Sequence, residues 1–198
     1  MLDRTIPFFN VILRCDDYGL IRIDLPEGYR IVPYQPGYED DWARMECLAG
    51  DFASEKEAAD YFRGKYTVSD SYDDILFLLE KTGKVIGSCT AWTDERKGSF
   101  VNSLHWLIID KDFQGKKLGR SLCAAVMNRF SVKNGGPVYI HTQPWSWKAI
   151  LLYSALGFRL QKSDTFGTYV NQYHEAMNVL KQILREDQIR TLEEQAED

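Results

Sequence analysis

Between Ser103 and Arg120 the chain reads SLHWLIIDKDFQGKKLGR, and the second half of this stretch carries residue types that hold an anion. Gln114, Gly115, Lys116, Lys117, Leu118, Gly119 and Arg120 combine three cations with glycines that let the backbone turn tightly. Ser121 to Phe130 (SLCAAVMNRF) follow with helical spacing, since Leu122, Cys123, Val126 and Phe130 can share one face. Gly115 to Arg120 are therefore expected in the first helical turn. N–H groups there lack intrahelical acceptors, and the helix dipole favours negative charge. The segment suits a phosphate, and best a pyrophosphate. The alternative is an ordinary solvated basic turn. A GxxxxGK[ST] loop is absent, and no GxGxxG follows a strand.

Such a turn needs a strand before it and a helix behind it. Leu104, Trp106, Leu107, Ile108 and Ile109 supply the strand, and Asp110 to Lys117 the polar turn. Further on, Val138 to His141 read as another strand, and Lys148 to Leu156 as a short helix closed by Gly157. This order, with QGKKLG at the turn and AILLYSALGF in the later helix, resembles the GNAT superfamily of N-acetyltransferases. Gln114 and Gly119 match the superfamily's [RQ]-x-x-G-x-[GA] turn, while Lys117 stands where glycine is usual. Ala149, Tyr153, Gly157 and Phe158 match its A-x-x-x-Y-x-x-x-G-F helix. The resemblance spans Gly28 to Phe158 in element order and is sharp in these two segments.

The resemblance implies a mixed α/β (α+β) fold: a mostly antiparallel central sheet with a splayed strand pair and flanking helices. It implies direct transfer of an acetyl group from acetyl-CoA, as co-substrate and without a metal, to a primary amine. By position, pantetheine would run along Leu107, Ile108 and Ile109, and the pyrophosphate would face the N–H groups from Gln114 through Arg120. Ser146 stands where many relatives carry asparagine, so its hydrogen bond to the pantetheine arm would have a shorter reach. Tyr153 is the candidate general acid, because a phenol with an ordinary pKa of about 10 can protonate the departing thiolate. The other reading of Tyr153 is a core ring on its helix.

His105 is the candidate general base. It is placed two residues before Leu107 and hence on the same strand face, and it titrates in the useful range. A satisfied core histidine is the competing reading. Glu80 is the runner-up base, acting through water, against the plainer reading of a carboxylate at a hairpin end. His141 is a candidate for the acceptor side. Trp145 and Trp147 are candidate pocket walls, or core. Gly50 to Phe62, with Asp51, Phe52, Glu55 and Tyr61, falls where relatives vary the acceptor-side loop and helix.

Composition narrows the class. The 198 residues carry 44% hydrophobic and 27% charged side chains with a net charge of −5, a soluble globular balance that disfavours a general nucleic-acid binder. Cys15, Cys47, Cys89 and Cys123 are scattered without metal-ligand spacing, which suggests free thiols in a reducing cytoplasm. The N-terminal sequence reads as neither a signal peptide nor a membrane span. The expected partners are a small-molecule amine acceptor and neither nucleic acid nor membrane, with a homodimer as the open alternative.

Three segments are expected: a β-hairpin extension (1–26), the acetyltransferase domain (27–170), and an amphipathic helix with a frayed tail (171–198). The hairpin would pair Phe8–Arg14 with Leu20–Leu25. Within the domain, Tyr29–Tyr34 reads as a strand. Gly37–Ala49 reads as a helix burying Trp42, Met45 and Leu48. Ser54 and Glu57 form a capping box for a helix to Tyr66. Ile75–Glu80 and Lys84–Trp92 form a hairpin, Asp94–Ser99 turns, and Arg159–Lys162 and Thr165–Val170 supply the last strands. Two competing functions stay open. One is a CoA-binding sensor or interaction module without turnover. The other is a protein N-terminal or lysine acetyltransferase, which needs an open peptide groove.

Overall fold

A computed structural model describes residues 3–66, 72–96, 99–133 and 135–198. Seven strands and six α-helices alternate along them: β1 (Val11–Cys15), β2 (Arg30–Pro33), α1 (Tyr38–Ala49), α2 (Glu55–Tyr66), β3 (Ile75–Leu79), β4 (Val85–Arg96), β5 (Ser99–Ile109), α3 (Leu118–Lys133), β6 (Val138–Thr142), α4 (Trp147–Ser154), β7 (Arg159–Leu160), α5 (Tyr173–Leu180) and α6 (Glu186–Glu194). The hydrogen-bonded order is β2-β3-β4-β5-β6-β1-β7. The pairs β2–β3, β3–β4, β1–β6 and β1–β7 run antiparallel, whereas β5 and β6 pair in parallel at Asn102–Val138 and Ser103–Tyr139. The mixed, mostly antiparallel architecture expected from the sequence is present.

The chain divides into two compact units. The first gathers Gly19–Trp92 and Leu104–Asn134. Its core forms because α1, α2 and β3 each present an apolar stripe. β3 (ILFLL) is buried on both faces, and α2 turns Ala58, Ala59, Phe62 and Tyr66 inward at helical spacing. Trp42, Phe62, Tyr66 and Phe77 anchor the cluster, with Phe52, Tyr61, Trp92, Trp106 and Ile108 half-buried against it. α2 begins as expected, the Ser54 hydroxyl accepting the Glu57 N–H at 3.2 Å. The Glu57 carboxylate answers one residue early, accepting the Ala53 N–H at 3.1 Å. On α1, Leu48 is 53% exposed, and Glu46, not foreseen from the sequence, takes the buried position beside Trp42 and Met45.

The second unit gathers Leu2–Tyr18, Thr93–Ser103 and Gly135–Asp198. Here the expected N-terminal hairpin is replaced. β1 pairs with β6 on one side and β7 on the other, and Leu20–Leu25 form no strand. β1 is buried along both faces and gains two partners in mid-sheet, which a hairpin arm at an edge could not offer. The terminal helix is two helices. The Arg185 N–H donates to the Gln188 side chain at 3.1 Å, capping α6 as a fresh start after α5. The expected frayed tail is also tied down, since Glu197 N–H donates to Leu160 C=O at 2.8 Å and Lys162 N–H to Glu197 C=O at 2.7 Å. Thr165–Val170 forms a tight turn with a Phe166–Tyr169 bridge in place of a strand. The centre of the Asp94–Ser99 turn, residues 97–98, lies outside the described residues.

Among the described residues no helix is long and apolar enough to cross a membrane, and no group of three His, Cys, Asp or Glu gathers to hold a metal. The cysteines are free thiols, three of them buried. Burial pushes the Cys15 thiol up to about 11 and that of Cys89 well above its ordinary value, so neither is primed as a nucleophile.

Candidate active site

The anion turn of the first unit starts where β5 ends. The Asp110 N–H donates to Ile86 C=O at 2.8 Å, and its buried carboxylate meets Arg44 at 3.3 Å and Lys84 at 3.8 Å. Its Oδ1 accepts the Asp112 N–H at 3.2 Å, starting the 3₁₀ turn Lys111–Phe113. The Gln114 amide reaches back to Ile109 C=O at 3.0 Å. These bonds fix the direction in which the chain leaves the strand.

The turn itself is left-handed twice, at Gly115 (φ 80°) and Lys117 (φ 60°). Helix α3 starts only at Leu118, so Gly115 to Lys117 precede the first helical turn rather than forming part of it. Alternating left-handed and ordinary residues aim successive N–H groups to one side, the concave arrangement that binds anions. Leu118 and Gly119 add first-turn N–H groups without intrahelical acceptors. Lys116 is drawn onto aromatic groups, its Nζ 3.3 Å from the Tyr29 hydroxyl and 5.0 Å over the Phe113 ring. Lys117 thus keeps the conformation that glycine normally supplies and adds a charge beside the N–H groups. This donor set fits a diphosphate.

β5 also carries His105. Trp106 adopts φ 51° inside the strand, and this left-handed residue breaks the two-residue alternation. His105 therefore shares its face with Trp106 and Ile108 against the aromatic core, rather than with Leu107 as expected from simple alternation. Its Nδ1 lies 3.1 Å from the Tyr66 hydroxyl, between the rings of Trp92 and Trp106 at 6.0 and 5.7 Å. Phe52 and Tyr61, foreseen in the acceptor-side segment, pack on Trp106 at 5.6 and 5.8 Å. Glu46 lies beneath this cluster, 2% exposed, with its Oε1 unpartnered. Burial, then Asp51, holds its carboxyl well above the usual range. The only advance signal for it was the period of α1.

Glu80 does not join this group. One of its oxygens accepts from the Thr82 N–H at 2.8 Å, the Lys84 N–H at 3.2 Å and the Thr82 hydroxyl. These bonds, the Thr82 hydroxyl foremost, hold its carboxyl below the usual range. It caps the β3–β4 turn and is a poor base.

The second unit carries the later motif. Tyr153 lies on α4, 5% exposed, its ring 6.0 Å from Phe158. Ser146 ends the 3₁₀ turn Pro144–Ser146, and its hydroxyl accepts from the Gln143 amide at 3.1 Å instead of capping α4. Trp145 packs under the N-terminal segment, 5.2 Å from Phe8 and 4.3 Å from the Arg4 guanidinium. His141 stacks on Tyr169 at 3.5 Å and meets Asn10 at 2.9 Å; burial lowers its pKa to about 4. It is a structural imidazole.

The model of the acetyltransferase (GNAT) family matches residues 38–158, well over half of the chain and inclusive of both motifs. The chain belongs to the GNAT acetyltransferase family. Curated relatives are mycothiol acetyltransferases. That of Kocuria rhizophila is 27% identical over 70% of this chain and 48% of its own length, and that of Sanguibacter keddieii is 30% identical over 68% and 44%. The chain thus spans about half the length of the curated relatives it matches. A GCN5-related N-acetyltransferase from Sphaerobacter thermophilus has a similar structure, with a TM-score of 0.58 at 16% identity, covering 79% of this chain and 51% of the other. Glucosamine-6-phosphate N-acetyltransferase from Arabidopsis thaliana gives 0.51 at 18% identity, covering 72% of this GNAT chain and 99% of the other. At these identities the likeness is one of fold.

Proposed function

We propose that this GNAT protein transfers the acetyl group of acetyl-CoA directly to the primary amine of a small molecule or amino-acid-like acceptor. The observation that supports the reading is the left-handed Lys117: at the position where the family pattern has glycine, the backbone takes a conformation that glycine adopts readily. The amine nitrogen attacks the thioester carbonyl, the carbon–sulfur bond breaks, the amine proton passes to a base and the CoA sulfur gains a proton. His105 is the proposed base and Tyr153 the proposed acid. Leu107 to Ile109, the turn from Gln114 to Arg120, and Ser146 are proposed to hold the cofactor. The curated relatives' name, mycothiol acetyltransferase, favours a small-molecule acceptor over a protein. The proposed transferase domain is 27–170, with 1–26 and 171–198 as additions to it, in the cytoplasm.

Calorimetric titration with acetyl-CoA, desulfo-CoA and ATP tests the cofactor site. Binding of both CoA compounds and not of ATP supports it, and an amine panel read by release of free thiol then tests turnover. Failure of either CoA compound to bind at millimolar concentration refutes the reading. Binding with no thiol release from any amine favours a non-catalytic CoA-binding module.

A further inference from the structure

Asp110 is joined at all four of its polar atoms. Its N–H donates to Ile86 C=O on β4 at 2.8 Å, and its C=O accepts the Phe113 N–H at 2.9 Å. Oδ1 accepts the Asp112 N–H at 3.2 Å, while Oδ2 accepts from Arg44 on α1 at 3.3 Å. A carboxylate is planar, so a donor fixed on one oxygen sets where the other points. Arg44 is itself anchored, its guanidinium meeting Asp41 at 3.3 Å and Val85 C=O at 3.5 Å. All of these residues belong to the first unit.

The Asp110 side chain is 7% exposed, too dry for a charge to stand without a partner. Lys84 is a second cation, but its Nζ lies 3.8 Å away, beyond hydrogen-bond distance, on a side chain that is 50% exposed. Lys84 supplies charge without direction; Arg44 supplies both. Without Arg44 the carboxylate would turn toward Lys84, and Oδ1 would leave the Asp112 N–H. The 3₁₀ turn Lys111–Phe113 would lose the bond that starts it. Gln114 to Lys117, with left-handed Gly115 and Lys117, follow directly from that turn. Leu118 at their far end is buried, so the displacement would fall on the N–H groups in between. An unpaired Asp110 would also set an uncompensated negative charge a few residues ahead of a site for an anion.

We propose that Arg44 is a positioning residue for the cofactor: by holding Oδ2 of Asp110 it keeps Oδ1 on the Asp112 N–H, and so aims the later N–H groups of the turn at the diphosphate. This rests on the reading of Gln114 to Arg120 as the diphosphate site. Arg44 acts through Asp110 and does not itself touch the cofactor. Its effect is therefore confined to ligands that carry the diphosphate, and it exists only while residue 110 carries a charge.

The test compares two ligands in a double-mutant cycle. Acetyl-CoA binding is read by calorimetry. Binding of S-acetylpantetheine, which lacks the diphosphate, is read from the amide signals of Leu107 to Ile109. Arg44→Gln is expected to weaken acetyl-CoA binding roughly tenfold and to leave S-acetylpantetheine binding unchanged. In an Asp110→Asn background the same change is expected to weaken acetyl-CoA binding by less than about twofold, because a neutral amide can cap Asp112 without a cation. Arg44→Lys keeps the charge on a less directional donor and is expected to weaken acetyl-CoA binding about threefold; it carries the comparison if Arg44→Gln fails to fold. Equal losses for the two ligands, equal losses in the two backgrounds, or native acetyl-CoA affinity in both Arg44 variants overturn the positioning. A native protein that binds acetyl-CoA no more tightly than S-acetylpantetheine refutes the diphosphate site itself, whatever the variants do.

Discussion

Gly87 on β4 faces the end of β5 so closely that a methyl group on its α-carbon would sit 2.8 Å from the Ile108 carbonyl oxygen and 2.7 Å from Ile109 Cδ1. The carbonyl belongs to backbone and cannot swing aside. Gly87→Ala is therefore expected to cost about 1–3 kcal/mol. Ile108 and Ile109 are proposed cofactor residues, so the same change is expected to weaken acetyl-CoA binding several-fold. A melting curve and a calorimetric titration of the one variant read both effects; an unchanged melting temperature would refute the crowding argument.

Lys117 offers a separation of strain from charge. A lysine held at φ 60° costs on the order of 1 kcal/mol relative to glycine. Lys117→Gly is expected to raise stability by up to about that amount while weakening acetyl-CoA binding a few-fold. Lys117→Ala keeps the strain and loses the charge, so it is expected to weaken binding without the gain in stability. The binding loss in both variants is expected to shrink as salt is raised. Equal melting temperatures for the two variants would show that the turn relaxes around the side chain.

Glu46 sets a pH dependence of stability in one direction. Its folded pKa is raised, so its stabilising share is complete below the unfolded value near 4.5 and is lost as pH rises toward the folded value. Glu46→Gln removes that slope and is expected to be more stable than the native chain at pH 7, by about 1 kcal/mol. Urea unfolding at pH 5 and pH 8 checks this. A variant that is less stable at pH 8 would mean that the carboxylate is ionised and paired there.

His141 acts in the opposite direction. Its folded pKa is lowered from 6.5 to about 4, so its contribution is complete above 6.5 and is lost as pH falls through that window. Allowing for its partial exposure, the loss is about 1–2 kcal/mol. Between roughly pH 4.5 and 6.5 the two groups oppose each other, and the native curve is expected to be flat. In Glu46→Gln the histidine slope should emerge uncovered; if it does not, His141 is not the group responsible.

The left-handed turn before α3 was legible because its signal is local. Glycines, lysines and the start of an apolar helix lie within a few residues, and backbone chemistry alone links them. The short helix that carries Tyr153 was legible for the same reason, from its own spacing. What could not be read depends on partners distant in sequence. Glu80 is the exception: Thr82 and Lys84 lie close to it in sequence, and the plainer reading of a carboxylate at a hairpin end is the one the structure bears out. The face of His105 turned on a left-handed Trp106, for which a tryptophan gives no warning. Tyr66 and Glu46 carried no motif, and Glu46 resembled any helix carboxylate until burial marked it. β1 was mispaired because adjacency in sequence favoured Leu20–Leu25, while the true partners lie beyond residue 137.

That placement of β1 bears on how the protein is made. Val11–Cys15 are translated more than a hundred residues before the strands that flank them, Val138–Thr142 and Arg159–Leu160. Until then an apolar strand with two bare edges waits in the nascent chain, which is the kind of segment that chaperones shield and neighbouring chains capture. The second unit cannot assemble as it is synthesised, whereas Gly19–Trp92 of the first can begin at once. Yield in a heterologous host should thus hinge less on the catalytic motifs than on how long that one strand is kept from pairing with something else.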